Sequence, residues 1–182
     1  MTQPYPTYEL EVAGLIRHLP ICPVNEHLDI AGFVIFSDVE LTVACATELG
    51  KLLPDHDVLL TAESKGIPLA YEMSRQSGKK YILARKSKKL YMRDPVAIDV
   101  KSITTEKIQT LYLDVGDMEY LKGKRVLLID DVVSTGESMA AMEELCQKAG
   151  GIVAGKAAIL AEGDAADRED LIYLQKLPLF FK

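Results

Sequence analysis

The densest chemistry lies in the run Val126-Leu127-Leu128-Ile129-Asp130-Asp131-Val132-Val133-Ser134-Thr135-Gly136-Glu137-Ser138. Its first four residues are apolar, two of them β-branched, and read as a buried strand. Two adjacent carboxylates close that strand. Small and hydroxylated residues follow, and a helix opens near Ser138. Negative charge thus meets the free backbone N–H groups of a helix start. The acids suit sugar hydroxyls or a metal, and the N–H groups suit a phosphate. A ribose 5-phosphate needs both. Adjacent acids are also often merely solvated, and Thr135 could be a plain helix cap. Gly136 favours the phosphate reading, because a glycine in a tight loop lets N–H groups approach an anion closely.

Two further segments could bind anions. Ala62-Glu63-Ser64-Lys65-Gly66-Ile67-Pro68 is a strand-to-helix turn with one lysine and a glycine hinge. Arg85, Lys86, Lys88, Lys89 and Arg93 form the strongest basic cluster of a chain whose net charge is −6. In so acidic a protein that cluster serves a small anion better than a polymer. The overall charge argues against a nucleic-acid or membrane-surface binder. Cys22, Cys45 and Cys146 are widely spaced and lack a C-x-x-C pair. A zinc site or disulfide framework is not expected, and Cys45 and Cys146, among apolar helical residues, are expected to be core thiols. His18, His27 and His56 have no triad or metal spacing and are expected at surface or capping positions. No apolar run reaches the roughly 20 residues of a membrane span. No leader pattern opens the sequence, so a cytoplasmic location is expected.

These segments need elements to hold them. Strands are expected near 57–62, 80–84, 125–130 and 152–160, with a short one at 177–181. Helices are expected from Ser37-Asp38 to about Leu53, from Pro68 through Met73, and over 137–149 before Gly150-Gly151. Residues 8–17 have a spacing that suits an amphipathic helix. Residues 31–36 read as a strand or apolar loop, and 164–168 as loop. Val96–Ile103 and Lys107–Val115 alternate as two antiparallel strands. Strands alternating with helices imply an α/β fold, a mostly parallel twisted sheet with helices on both faces. Ligands in such sheets sit beyond the strands' carboxyl ends. The segments after Ala62, Ala84 and Ile129 all fall there. Without a repeat or low-complexity linker, residues 1–182 are expected to form a single domain.

The Val126–Ser138 run resembles the phosphoribosyl-pyrophosphate (PRPP) motif of type I phosphoribosyltransferases, and the similarity extends over most of residues 30–181. It is strongest toward the purine enzymes for adenine and xanthine. The resemblance implies that Asp130 and Asp131 hold the ribose hydroxyls, directly or through hydrated Mg²⁺. It implies that Val133, Ser134, Thr135, Gly136, Glu137 and Ser138 wrap the 5-phosphate, with Glu137 replacing a usual small residue. Ser64, Lys65 and Gly66 would bind pyrophosphate, in a loop where a strained or cis peptide is common. Arg85 would contact pyrophosphate, with Lys86 and Lys88 nearby. A mobile loop at about 88–109 would close over PRPP, and Glu106 in it would assist proton transfer.

The resemblance also implies a small hood, from about 1–37 and 163–182, covering the base. Phe33, Val34, Phe36 and Glu162 would contact the base there. Phe36-Ser37-Asp38 lacks the arginine usual before that aspartate in adenine enzymes. The implied activity is transfer of the phosphoribosyl group from PRPP to a purine, adenine first, by a homodimer. The alternatives are a xanthine, hypoxanthine or guanine enzyme, or a non-catalytic PRPP-sensing regulator. An orotate enzyme fits the basic cluster less well.

Overall fold

A computed structural model of the chain describes residues 6–101 and 108–182. The first two elements are strands, β1 (Thr7–Val12) and β2 (Leu15–Pro23), paired as a hairpin with Val12 opposite Leu15. The helix expected over 8–17 is therefore corrected. Leu10, Val12, Leu15 and Leu19 fit both a helical and an alternating pattern. The ambiguity is settled by a two-residue turn, Ala13-Gly14, both with positive φ (51° and 74°). That geometry matches the right-handed twist of paired strands. A third strand, β3 (Leu28–Ala31), follows. Residues 32–35 are irregular, so the apolar run there is loop rather than strand.

Helix α1 (Val39–Gly50) starts where expected, with the Asp38 carboxylate accepting from the Leu41 N–H at 3.1 Å. Strand β4 (Val58–Ala62) is buried along its whole length. Helix α2 (Ile67–Ser77) carries Pro68 in its first turn and ends on Gly78 at φ 71°. Strand β5 (Tyr81–Ala84) leads to the basic segment. Strands β6 (Val96–Lys101) and β7 (Ile108–Leu113) pair antiparallel, as expected. The seven-residue helix α3 (Val115–Leu121) was not expected; Gly116 and its brevity hide its period.

Strand β8 (Arg125–Val133) runs three residues beyond the expected end, so Asp130 and Asp131 lie within it. Helix α4 (Glu137–Lys148), strand β9 (Ile152–Glu162) and a 3₁₀ turn at Gly163–Asp167 complete the second half with β10 (Leu171–Leu177) and β11 (Leu179–Phe181).

Five strands form one parallel sheet in the order β10-β9-β8-β4-β5. Alternate residues serve opposite faces, as the pleat requires. Leu59, Leu127 and Ile129 pack against Leu41, Cys45 and Leu49 of α1 and Leu69 and Met73 of α2. Val58, Leu60, Val126 and Leu128 pack against Met142, Leu145 and Cys146 of α4. Leu111 and Leu113 of β7 and Leu121 of α3 extend that second layer. Burial among these side chains lifts the Cys45 thiol pKa to about 12 and that of Cys146 to about 11.

A smaller antiparallel sheet, β1-β2-β3-β11, joins the amino-terminal segment to residues 179–181. Residues 171–177 belong instead to the main sheet. Arg17 of β2 ties the small sheet to α1 through a two-point pair with Asp38 (2.6 and 3.0 Å). Among the described residues, no helix is long and apolar enough to cross a membrane.

Candidate active site

Because the main sheet is parallel, the ends of β4, β5, β8 and β9 share one edge. That edge receives Glu63-Ser64-Lys65-Gly66, Arg85, Asp130-Asp131 and Glu162. Asp130 and the loop from Val132 to Met139 line a cavity of about 40 Å³, the scale of one small anion. Gly136 is the N-cap of α4 and holds φ 82°, which turns the loop back over the helix start. The Glu137 N–H donates to the Thr135 hydroxyl at 3.5 Å inside this loop.

Asp131 is 3% exposed. Its Oδ2 is buried without a hydrogen bond, and the Lys65 ammonium lies 3.5 Å from it. Lys65 also reaches the Phe33 carbonyl at 3.5 Å. The Asp131 N–H donates to Asp130 Oδ1 at 2.9 Å. Burial, and then the charge of Asp131, push the Asp130 carboxyl well above the usual carboxylate range, while Lys65 opposes the rise. Two neighbouring acids with a buried, unbonded oxygen await a cation or hydroxyl donors. Among the described residues no cluster of three or more His, Cys, Asp or Glu could cage a metal. A Mg²⁺ held by one or two carboxylates, with its remaining ligands from water and substrate phosphates, fits this donor set.

The Glu63–Ser64 peptide is cis. Gly66 is buried against the acids: a Cβ there would lie 2.5 Å from Thr61 Oγ1 and 3.1 Å from Asp130 Oδ1. Only glycine lets the loop come this close. Glu63 also tethers the basic segment. Its carboxylate receives the Lys86 N–H at 2.7 Å and pairs with the Arg85 guanidinium at 2.8 Å. The Arg85 backbone exchanges hydrogen bonds with Tyr112 of β7. Lys86 and Lys88 are exposed. Glu106 lies outside the described residues.

A larger cavity of about 600 Å³ adjoins the small one and shares Ser134 and Thr135 with it. Its walls include Leu28 and Ile30 of β3, Leu179 of β11, Glu162, Asp164 and Arg168. Glu162 is thus brought to the same place as the Ser134–Thr135 loop, and its partial burial raises its pKa. Phe33 is buried in the core layer of α1 and α2, so its ring faces neighbouring side chains. Val34 is exposed. Phe36 lines a different, largely apolar cavity of about 440 Å³ with Ser64 and Tyr71. The apolar walls of the larger cavity come instead from Leu28, Ile30 and Leu179, which lie within the segments expected to form the hood but differ from the residues expected to contact the base. Arg168 was hidden in Asp167-Arg168-Glu169-Asp170, a charge run that looks like a solvated loop. His56 is buried, with Nδ1 2.9 Å from the Pro54 carbonyl, rather than on the surface.

Residues 47–175 match the model of the phosphoribosyl transferase domain. The purine biosynthesis transcriptional repressor PurR of Bacillus subtilis is 30% identical over 142 residues, 75% of this chain and 49% of the repressor. The chain therefore spans about half that relative's length. The adenine phosphoribosyltransferase of Rhodococcus jostii is 31% identical over 138 residues, 75% of each chain. The crystal structure of adenine phosphoribosyltransferase from Thermoanaerobacter pseudethanolicus superposes with a TM-score of 0.72 at 20% identity. It covers 87% of this chain and 95% of that one, a likeness of fold.

Proposed function

The chain belongs to the phosphoribosyl transferase family, and from that premise we propose that it transfers the phosphoribosyl group of PRPP to a purine base, adenine first. The observation that carries this reading is the junction at Ser134 and Thr135. An anion-sized cavity built on Asp130 and the loop before α4 opens there into a space large enough for a flat heterocycle. One substrate's phosphate and another's ring would then meet across a ribose.

In the proposed reaction a ring nitrogen of the base bonds to C1 of the ribose as the C1–O bond to pyrophosphate breaks. The nitrogen's proton leaves, and the products are a nucleoside monophosphate and pyrophosphate. Val133 to Ser138 hold the 5-phosphate by backbone N–H groups and hydroxyls. Asp130 and Asp131 orient the ribose hydroxyls, the two donors their carboxylates lack. Mg²⁺ bound with PRPP would neutralise charge on the leaving pyrophosphate. Ser64, Lys65 and Gly66 receive that pyrophosphate, helped by Arg85 once it exchanges Glu63 for phosphate oxygens, with Lys86 and Lys88 beside it. Positioning and electrostatics therefore do most of the work. Glu162 and Asp164 are acceptors for N–H groups of a base, which adenine and the 6-oxopurines all carry. Glu106 is proposed for proton transfer. The exposed Phe36, Val39 and Tyr71 around the apolar cavity support a homodimer. A cytoplasmic salvage role completes the proposal.

The test is incubation with PRPP, Mg²⁺ and a panel of adenine, hypoxanthine, guanine and xanthine, following pyrophosphate release. Turnover with adenine supports the reading in full. Turnover with a 6-oxopurine alone moves the specificity and keeps the reaction class. The likeness to a repressor supports a second reading, a non-catalytic PRPP sensor. Tight PRPP binding without pyrophosphate release from any base would establish that one instead.

A further inference from the structure

The loop that would hold the 5-phosphate has an electrostatic problem. Val133 to Ser138 contain no lysine or arginine. Asp130 lines the same small cavity, and Glu162 and Asp164 line the adjoining one. A phosphate dianion placed there meets no fixed positive charge from the loop itself. Backbone N–H groups at a helix start offer only about half a charge in return. The described part of this wall has one cation near Gly136, and it is Arg168.

The guanidinium is held in a fixed plane. Nε donates to Asp170 Oδ1 at 3.0 Å and Nη2 to Asp170 Oδ2 at 2.9 Å, a two-point pair. Asp170 also receives the Lys156 ammonium at 2.9 Å, and Lys156 reaches Glu143 of α4 at 2.8 Å. The arginine is thereby braced against the helix whose amino end carries the phosphate loop. Pairing with Arg168, and then Lys156, holds the Asp170 carboxyl well below the usual carboxylate range. The third nitrogen, Nη1, has no hydrogen-bond acceptor among the described residues. It lies against Gly136, so closely that a Cβ there would collide with it. Arg168 also lines the larger cavity beside Ser134 and Thr135.

We infer that Arg168 is a ligand of the donor's 5-phosphate, its Nη1 edge closing the phosphate loop at Gly136 with the fixed charge that the loop's own sequence lacks. The inference rests on the phosphoribosyl reading and deepens it. Asp170, Lys156 and Glu143 act through Arg168 as positioning residues.

Calorimetric titration of the unaltered chain with ribose 5-phosphate, and separately with Mg²⁺–pyrophosphate, tests it. Arg168→Ala is expected to weaken ribose 5-phosphate about tenfold or more while leaving Mg²⁺–pyrophosphate within about twofold, since only the first carries the 5-phosphate. Arg168→Lys keeps the charge and should recover part of the loss. Arg168→Gln keeps a hydrogen bond to Asp170 without charge and should not. If Arg168→Ala fails to fold, the lysine and glutamine variants carry the comparison. Unchanged ribose 5-phosphate affinity in Arg168→Ala, or equal affinities in the lysine and glutamine variants, overturns the inference and leaves the phosphoribosyl reading standing. Failure of the unaltered chain to bind either ligand removes that reading, and this inference with it.

Discussion

Asp131 Oδ2 is a buried anionic oxygen whose nearest cation stands 3.5 Å away. Such an atom weakens the fold, and on the proposed function it serves the ribose hydroxyls. Asp131→Asn should therefore separate function from stability. Turnover with PRPP should fall about 100-fold or more, the scale of a lost electrostatic contact at a reacting centre. The melting temperature should stay level or rise, because like-charge repulsion with Asp130 is relieved. Full turnover in this variant would remove Asp131 from the mechanism. Gly66 makes the opposite case. A methyl group there meets Thr61 and Asp130, so Gly66→Ala should lower stability by about 1–3 kcal/mol as well as PRPP binding. Denaturant titration gives the first and calorimetry the second; an unchanged midpoint would show that the loop has room. At this scale the placement of the acids, the loop before α4 and Glu162 at one sheet edge could be read from residue order, because each follows or closes a strand end. Arg168 could not. Its relation to Gly136 depends on β9 and the 3₁₀ turn returning to α4, and its neighbours in sequence are ordinary surface charges.

Elements with one dominant period were legible, and those with two were not. Strands β4 and β8 are continuous apolar runs, and α1 announces itself by the Asp38 cap; each lies where its pattern points. The β1–β2 hairpin lacked the Asn-Gly or Asp-Gly turn that would have identified it, since its first turn residue is Ala13 at φ 51°. An alanine pays a left-handed penalty there. Ala13→Gly and Ala13→Asn should each stabilise the chain by about 0.5–1 kcal/mol, read as a higher melting temperature. A lower value for both would mean that the turn changes form. Strand β10 was missed because it mixes buried Leu171 and Leu177 with exposed Gln175 and Lys176 at the sheet's edge. The pairing of β6 with β7 was visible in their alternation, whereas α3 is too short to show a period.

The parallel sheet gathers four loops on one edge, which is why fold class and site position could be inferred together. What could not be inferred is closure, because the small sheet draws strands from opposite ends of the sequence. Two ion pairs matter here: Arg17 with Asp38 joins the small sheet to α1, and Arg168 with Asp170 is a local pair two residues apart beside the loop before α4. Both aspartates have folded pKa values below their ordinary ones. Each therefore adds stability that is present above about pH 4 and drains away as pH falls through the lower folded value. Melting temperature should decline between about pH 4 and pH 2. Asp38→Asn, which can still cap α1, should flatten that decline; an unaltered slope would show that the Arg17 pair adds nothing. The same long-range sheet has a consequence for synthesis. Translation delivers the phosphate loop well before Leu179, and β3 has no outer neighbour until β11 arrives. On the proposed function, a ribosome-bound chain halted short of residue 179 would own a place for a phosphate but only an open trough for a base, so the two halves of the site would be made at different times.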